Sequence, residues 1–154
     1  MVSDMVEQRI VIPLNVFLMP HKGKLSYITL NPWNELQGLR NGKGRAKASK
    51  YKKMIEARIR HYAEQAMVDG VTLASDEPLA MSYEWYLRNK RIDLDNWSFT
   101  QKMILDAFQG TTVRGDVLLA DDGIKYVQEN HHYFCGVDTD NPRVEVTWRP
   151  ARGV

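Results

Sequence analysis

Apolar and β-branched residues dominate QRIVIPLNVFLM, residues 8–19, and predict a first strand. Pro13 marks it as an edge strand or a bulged one, because proline cannot donate to a hydrogen-bond ladder. Met81, Tyr83, Trp85 and Leu87 alternate with more polar neighbours, the period-two signature of a half-buried strand. The apolar parity then moves to Ile92 and Leu94, so a bulge or loop is expected at residues 88–91. Helical spacing appears over residues 49–67, where Tyr51, Met54, Ile55, Ile59, Tyr62, Ala63 and Ala66 recur at three and four, with Ser49 as cap and Asp69-Gly70 as breaker. A second helical pattern runs through Trp97, Phe99, Met103, Ile104, Ala107 and Phe108 and stops at Gly110. Two further strands are expected in IKYVQENHHYFCGV and RVEVTW, separated by a DTDNP turn. From Pro20 to Ser49 periodicity gives way to Gly, Asn and Lys, as in RNGKGRAKASK, and about residues 20–49 read as a flexible basic loop. The order of elements predicts an α+β fold: one domain over residues 1–154, with a mixed β-sheet packed against two main helices.

A chain of 154 residues with 44% apolar and 26% charged side chains is long enough for one core and has the composition of a folded protein. It contains no apolar run of the roughly 18 residues a membrane span requires, and MVSDMVEQ lacks the basic-then-apolar order of a signal peptide. A single cysteine, Cys135, fits a reducing compartment, so a cytoplasmic protein with no membrane partner is expected. The net charge of +2 conceals an asymmetry: residues 21–62 hold eleven Lys or Arg against two Glu, and residues 106–145 hold eight acids against three bases. One half suits a polyanion and the other suits cations.

RIDLDNWSFTQKMILDAFQG, residues 91–110, concentrates the chemistry. Neighbouring carboxylates repel one another unless a cation, a proton or water relieves them. On extended chain Asp93 and Asp95 would project to one side, with Cβ atoms about 7 Å apart, and could converge on one ion. Oxygen ligands favour Mg²⁺ or Mn²⁺ over zinc. Lys102 would lie two helical turns beyond Asp95 on the same face, placed to stabilise charge on a phosphate above the aspartates. Asp121-Asp122-Gly123 offers a third carboxylate, and the turn could present either aspartate. Plainer readings coexist: Asp95 or Asn96 capping a helix, Lys102 and Asp106 as a solvated i,i+4 pair, Asp-Asp-Gly as a turn. Arg40, Lys43, Arg45, Lys47 and Lys50, with Arg88, Lys90 and Arg91, would grip phosphates without reading bases.

Asp-Leu-Asp-Asn at residues 93–96, Lys102 four residues before Asp106-Ala107-Phe108, a glycine-containing loop, Asp121-Asp122 and a closing strand form an order that resembles the RusA family of Holliday junction resolvases. The similarity covers roughly residues 47–148 and is strongest over residues 91–126; the N-terminal 46 residues match only loosely. The resemblance implies a homodimeric, Mg²⁺- or Mn²⁺-dependent endonuclease that cuts four-way DNA junctions symmetrically, of a kind often encoded by bacteriophages or prophages. It places the metal-binding aspartates on Asp93, Asp95 and Asp122, with Asp121 as a possible helper, and the catalytic lysine on Lys102. The interval from Asp95 to Lys102 is about a turn longer than in the best-known member, while the lysine keeps its distance from Asp106. Two alternatives stand beside this expectation: a junction-binding protein without turnover, and a nuclease for flaps or other branched DNA.

Three other motifs lead elsewhere. His131 and His132 would point to opposite faces of a strand, with no second Cys or spaced His to complete a zinc set. DTDNP lacks the ligand pattern of a calcium loop, and NGKGR lacks the spacing of a P-loop, so no nucleotide cofactor is expected.

Overall fold

Along the chain, β1 (Ile10–Pro13), a 3₁₀ turn (Leu14–Phe17), β2 (Leu18–His21) and β3 (Lys24–Tyr27) lead into helices α1 (Leu30–Gln37) and α2 (Lys43–Val68). Then follow β4 (Leu79–Leu87), α3 (Leu94–Ser98), α4 (Gln101–Gln109), the short strands β5 (Thr112–Val113) and β6 (Asp116–Val117), and the long strands β7 (Val127–Val137) and β8 (Arg143–Pro150). The computed structural model describes residues 7–38, 43–73 and 75–152. The main sheet has the order β1-β8-β4-β7, with β4 parallel to β7 and the other pairs antiparallel. The architecture is therefore a single α+β domain built on a mixed sheet. Among the described residues no helix is long and apolar enough to cross a membrane.

Alternation in MSYEWYL sets the layers. Met81, Tyr83, Trp85 and Leu87 are buried, whereas Ser82, Glu84 and Tyr86 are only half-buried. With Ile10, Ile12, Val144 and Val146, the buried positions form one core with α2 and α4. Helix α2 contributes Ile55, Ile59 and Ala63, and α4 contributes Met103, Ile104, Ala107 and Phe108. Each fully buried large aliphatic or aromatic side chain contributes about 1.5–3 kcal/mol of transfer free energy.

Four sequence expectations change. The run at residues 8–19 is not one strand: β1 ends at Pro13 on the sheet edge, and Leu14, Val16 and Phe17 are all buried. A strand would turn neighbours such as Val16 and Phe17 to opposite faces, and the 3₁₀ turn buries both. Much of residues 20–49 is ordered structure, not a flexible loop: a β2–β3 hairpin turns at Lys22 (φ 54°) and Gly23 (φ 77°), and α1 follows it. Helix α2 begins at Lys43, which leaves Ser49 inside it and removes Ser49 as a cap. Its buried positions Gly44, Ala48, Tyr51, Ile55, Ile59 and Ala63 keep helical spacing, but the first two are too small to register as an apolar pattern. Finally, the helix expected from Trp97 to Phe108 is broken. Both the amide and the hydroxyl of Thr100 donate to the Trp97 carbonyl, at 2.9 and 2.7 Å, which closes a tight turn between α3 and α4.

Candidate functional site

Strand β4 ends at Leu87, the chain turns through residues 88–91, and Asp93 takes the N-cap position of α3 in extended backbone (φ −68°, ψ 153°). The Asp93 carbonyl accepts the amides of Asn96 and Trp97 at 3.1 and 3.4 Å, while its carboxylate makes no capping bond. Asp95 lies in the first turn of α3, and its Oδ1 accepts the Asn96 amide at 3.0 Å. The aspartates therefore do not share one side of an extended chain, because the helix begins between them. Both are exposed to solvent.

Asn96 anchors the segment. Its Oδ1 accepts the Asn31 amide at 3.1 Å, so α3 satisfies a free donor in the first turn of α1. Below it Trp97 packs in an aromatic cluster, with ring centroids 5.0 Å from Tyr27, 5.3 Å from Trp85 and 6.0 Å from Phe17. The exposed aspartates thus stand on a buried, rigid base.

Because α3 and α4 are separate, Lys102 does not stand two turns above Asp95 on one helix. Its Nζ instead lies 2.6 Å from Asp122 Oδ2 and 3.1 Å from Asp106 Oδ1. Asp106 in turn meets Lys52 at 2.8 Å, and Lys52 meets Glu56 at 2.5 Å, so alternating charges run from α2 across α4 to the loop before β7. Hydrogen bonds to Asp122, then to Asp106, hold the Lys102 ammonium above its ordinary pKa. Burial works against ionisation of Asp106, but bonds from Lys52 and Lys102 outweigh it and keep that carboxyl below its usual range. Asp122 is half-buried and Asp121 exposed. A Cβ at Gly123 would come within 3.2 Å of Asp121 Oδ2, so the glycine leaves room for that carboxylate. The Tyr83 phenol is pushed upward by burial and by the charge of Asp122.

Beside this cluster lies a histidine that periodicity did not single out. Strand pairing sets His132 opposite Tyr83, and the rings stack at 4.4 Å with an interplanar angle of 10°. Trp85 Nε1–H donates to His132 Nδ1 at 2.9 Å, so Nε2 carries the proton and donates to Gln101 Oε1 at 2.8 Å. Burial, then the neighbouring His131, lowers the His132 pKa to about 4. Only the register between β4 and β7, a long-range property, creates this contact. His131 points away and pairs with Glu129 at 2.9 Å.

A cleft of about 670 Å³ opens between the β2–β3 hairpin, the start of α1 and the β4–α3 turn. Lys24, Asn31, Arg88, Arg91, Asp93 and Asn96 line it. Lys43, Arg45, Lys47 and Lys50 are exposed at the start of α2, whose first turn holds no acid. Arg40 lies outside the described residues.

Among the described residues no group of three or more His, Cys, Asp or Glu side chains is gathered so as to hold a metal ion. The donor chemistry of Asp93, Asp95 and Asp122 is all carboxylate oxygen, which suits Mg²⁺ or Mn²⁺. Lys102 occupies one oxygen of Asp122 and leaves the other for a second partner. No family model matches the chain, and no curated protein matches its sequence.

Proposed function

We propose that this chain is a RusA-like, metal-dependent, structure-selective DNA endonuclease that acts as a homodimer and resolves four-way junctions. The observation that carries the reading is the 2.6 Å ion pair between Lys102 and Asp122. It joins two segments separated by 20 residues that the resemblance alone had matched to the catalytic lysine and a metal-binding aspartate. Further support comes from the charge pattern of α2. A helix start normally favours acids, yet this one carries Lys43, Arg45 and Lys47 with no acid in its first turn, and a polyanion would relieve the mismatch.

In this reading Asp93, Asp95 and Asp122, which the described structure does not gather at one point, would be drawn together on the divalent ion, which when bound would supply positive charge at the phosphoryl group and acidify water. Lys102, kept protonated by its two carboxylates, donates to a phosphate oxygen and stabilises the charge that builds there during cleavage. Asp106, itself held by Lys52, fixes the direction of that ammonium. Asn96 and Trp97 keep the Asp93–Asp95 turn in place, and the cations of the cleft and of α2 hold the neighbouring phosphates.

The test is cleavage of a labelled synthetic four-way junction with Mg²⁺ or Mn²⁺, beside linear duplex and flap controls, by the wild type and Asp95→Asn. Paired symmetric nicks in the junction are expected, with a loss of about a hundredfold or more in the variant and retained binding. Tight junction binding by the wild type without any cut would make the protein a non-catalytic binder. Preferential cutting of flaps would move the activity to other branched DNA.

A further inference from the structure

The cleft beside Asp93 contains an imbalance of charge. Some cations are neutralised internally, as Arg9 and Arg143 are by Glu145, Lys52 and Lys102 by Asp106, and Lys22 by Glu35 at 2.6 Å. What distinguishes the cleft is that its unpaired cations surround one concave space. Lys24, Arg88 and Arg91 line it and are all exposed, and among the described residues none forms a salt bridge. The carboxylate in the lining is that of Asp93. Three exposed cations around one concave space outnumber the single carboxylate there, and an anion entering between them would lower their repulsion.

Its shape narrows the choice of anion. The open cleft, about 670 Å³, has room for a short piece of one nucleic-acid strand. One wall is the hairpin, held at its tip by bonds from His21 and Lys22 to Glu35 of α1, at 2.9 and 2.6 Å. That wall carries Leu25, 65% exposed, and Tyr27 and Trp97 also line the space. Cations that follow a phosphate backbone, beside an apolar surface for bases, form the combination used to bind a single strand.

We infer that the cleft between the β2–β3 hairpin and the β4–α3 turn seats a single DNA strand, with Lys24, Arg88 and Arg91 on its phosphates and Leu25 against a base. This rests on the DNA reading above and deepens it: the strand that leaves the stacked arms at a branch point enters the cleft and delivers its phosphate to Asp93. The cleft is thereby a basis for preferring branched over linear DNA.

The experiment measures fluorescence anisotropy of a labelled oligothymidylate and a labelled linear duplex in EDTA, across a range of salt. Four proteins are compared: wild type, the triple variant Lys24→Ala, Arg88→Ala, Arg91→Ala, the single variant Leu25→Ser, and a control, Arg114→Ala with Lys125→Ala. All substituted side chains are exposed, and circular dichroism melts confirm folding. The triple variant is expected to bind the oligothymidylate at least tenfold more weakly, with a salt slope lower by about 2, since each phosphate contact on a single strand adds about 0.7. Leu25→Ser is expected to weaken binding severalfold with the slope unchanged, because it removes a base contact and no charge. The control should match the wild type. An unchanged slope in the triple variant, or an equal loss in the control, would overturn the proposal. Because the assay contains no metal, its outcome is independent of cleavage: a strand-binding cleft on a protein that cuts nothing would sink the nuclease reading and leave this one standing.

Discussion

His132 is neutral because of what surrounds it: Trp85 donates to one nitrogen, Gln101 accepts from the other, and Tyr83 covers a face. Its pKa, lowered to about 4, gives a sign for the pH dependence of stability. The unfolded chain takes up this proton near pH 6.5 and the folded chain does so only near pH 4, so His132 destabilises the fold as pH falls through that interval and is without effect above it. Because the ring is only half-buried, a full-linkage figure must be discounted, and a loss of about 1–2 kcal/mol is expected. Denaturant titrations at pH 7 and pH 4.5 should show His132→Gln losing less stability than the wild type over that step; equal losses would contradict the assignment. Lys102 makes a different residue-scale case. Its bonds to Asp122 and Asp106 are largely exposed, so Lys102→Met should cost about 1 kcal/mol or less in stability. In the nuclease reading the same change should lower the junction cleavage rate by about a hundredfold, and a comparable loss of both stability and rate would make Lys102 merely structural.

At the scale of elements, Asn96 is the link between α3 and α1, and Asn96→Ala should cost about 0.5–2 kcal/mol, the usual value of a lost helix cap. Thermal melts check this, and no change would mean that water replaces the bond freely. Strand β4 was legible in the sequence because from Met81 to Leu87 its inward residues are large and their outward neighbours more polar, so local alternation sufficed. Helix α2 was half legible: Tyr51, Ile55 and Ile59 gave its period, while Gly44 and Ala48 bury too little apolar surface to mark its first turns. The break at Thr100 was not legible, since Trp97, Met103 and Phe108 keep a plausible helical spacing across it. Among candidate site residues, the types and order of Asp93, Asp95, Lys102 and Asp122 could be read locally. What could not be read was pairing: Lys102 with Asp122 and His132 with Gln101 depend on how α4 lies over β4 and β7, and the cleft cations converge only once the hairpin has folded beside them.

The whole molecule poses a question of symmetry. A four-way junction offers two equivalent strands to cut, and a two-fold homodimer would place one Asp93–Asp95 turn and one Lys102 at each. Two incisions then depend on two intact sites within one particle, which mixing tests directly. Wild type and Asp95→Asn, denatured and refolded together at equal concentrations, should give about half heterodimers if subunits associate at random. A cruciform extruded from a supercoiled plasmid separates the outcomes: two incisions within one binding event linearise the circle, whereas one incision releases the supercoil, reabsorbs the cruciform and leaves a nicked circle. If the dimeric nuclease reading holds, the wild type alone should yield linear product, the variant alone should yield neither, and the mixture should accumulate nicked circles in excess of the wild type diluted to the same number of active chains. A mixture that behaves as simply diluted wild type would show that one chain acts by itself or that subunits do not exchange, and sedimentation of the wild type distinguishes these as monomer or dimer. The salt dependence adds an independent check, because a dimer engaging both arms with the cations of two α2 helices should show a steeper slope on the junction than on a single labelled strand.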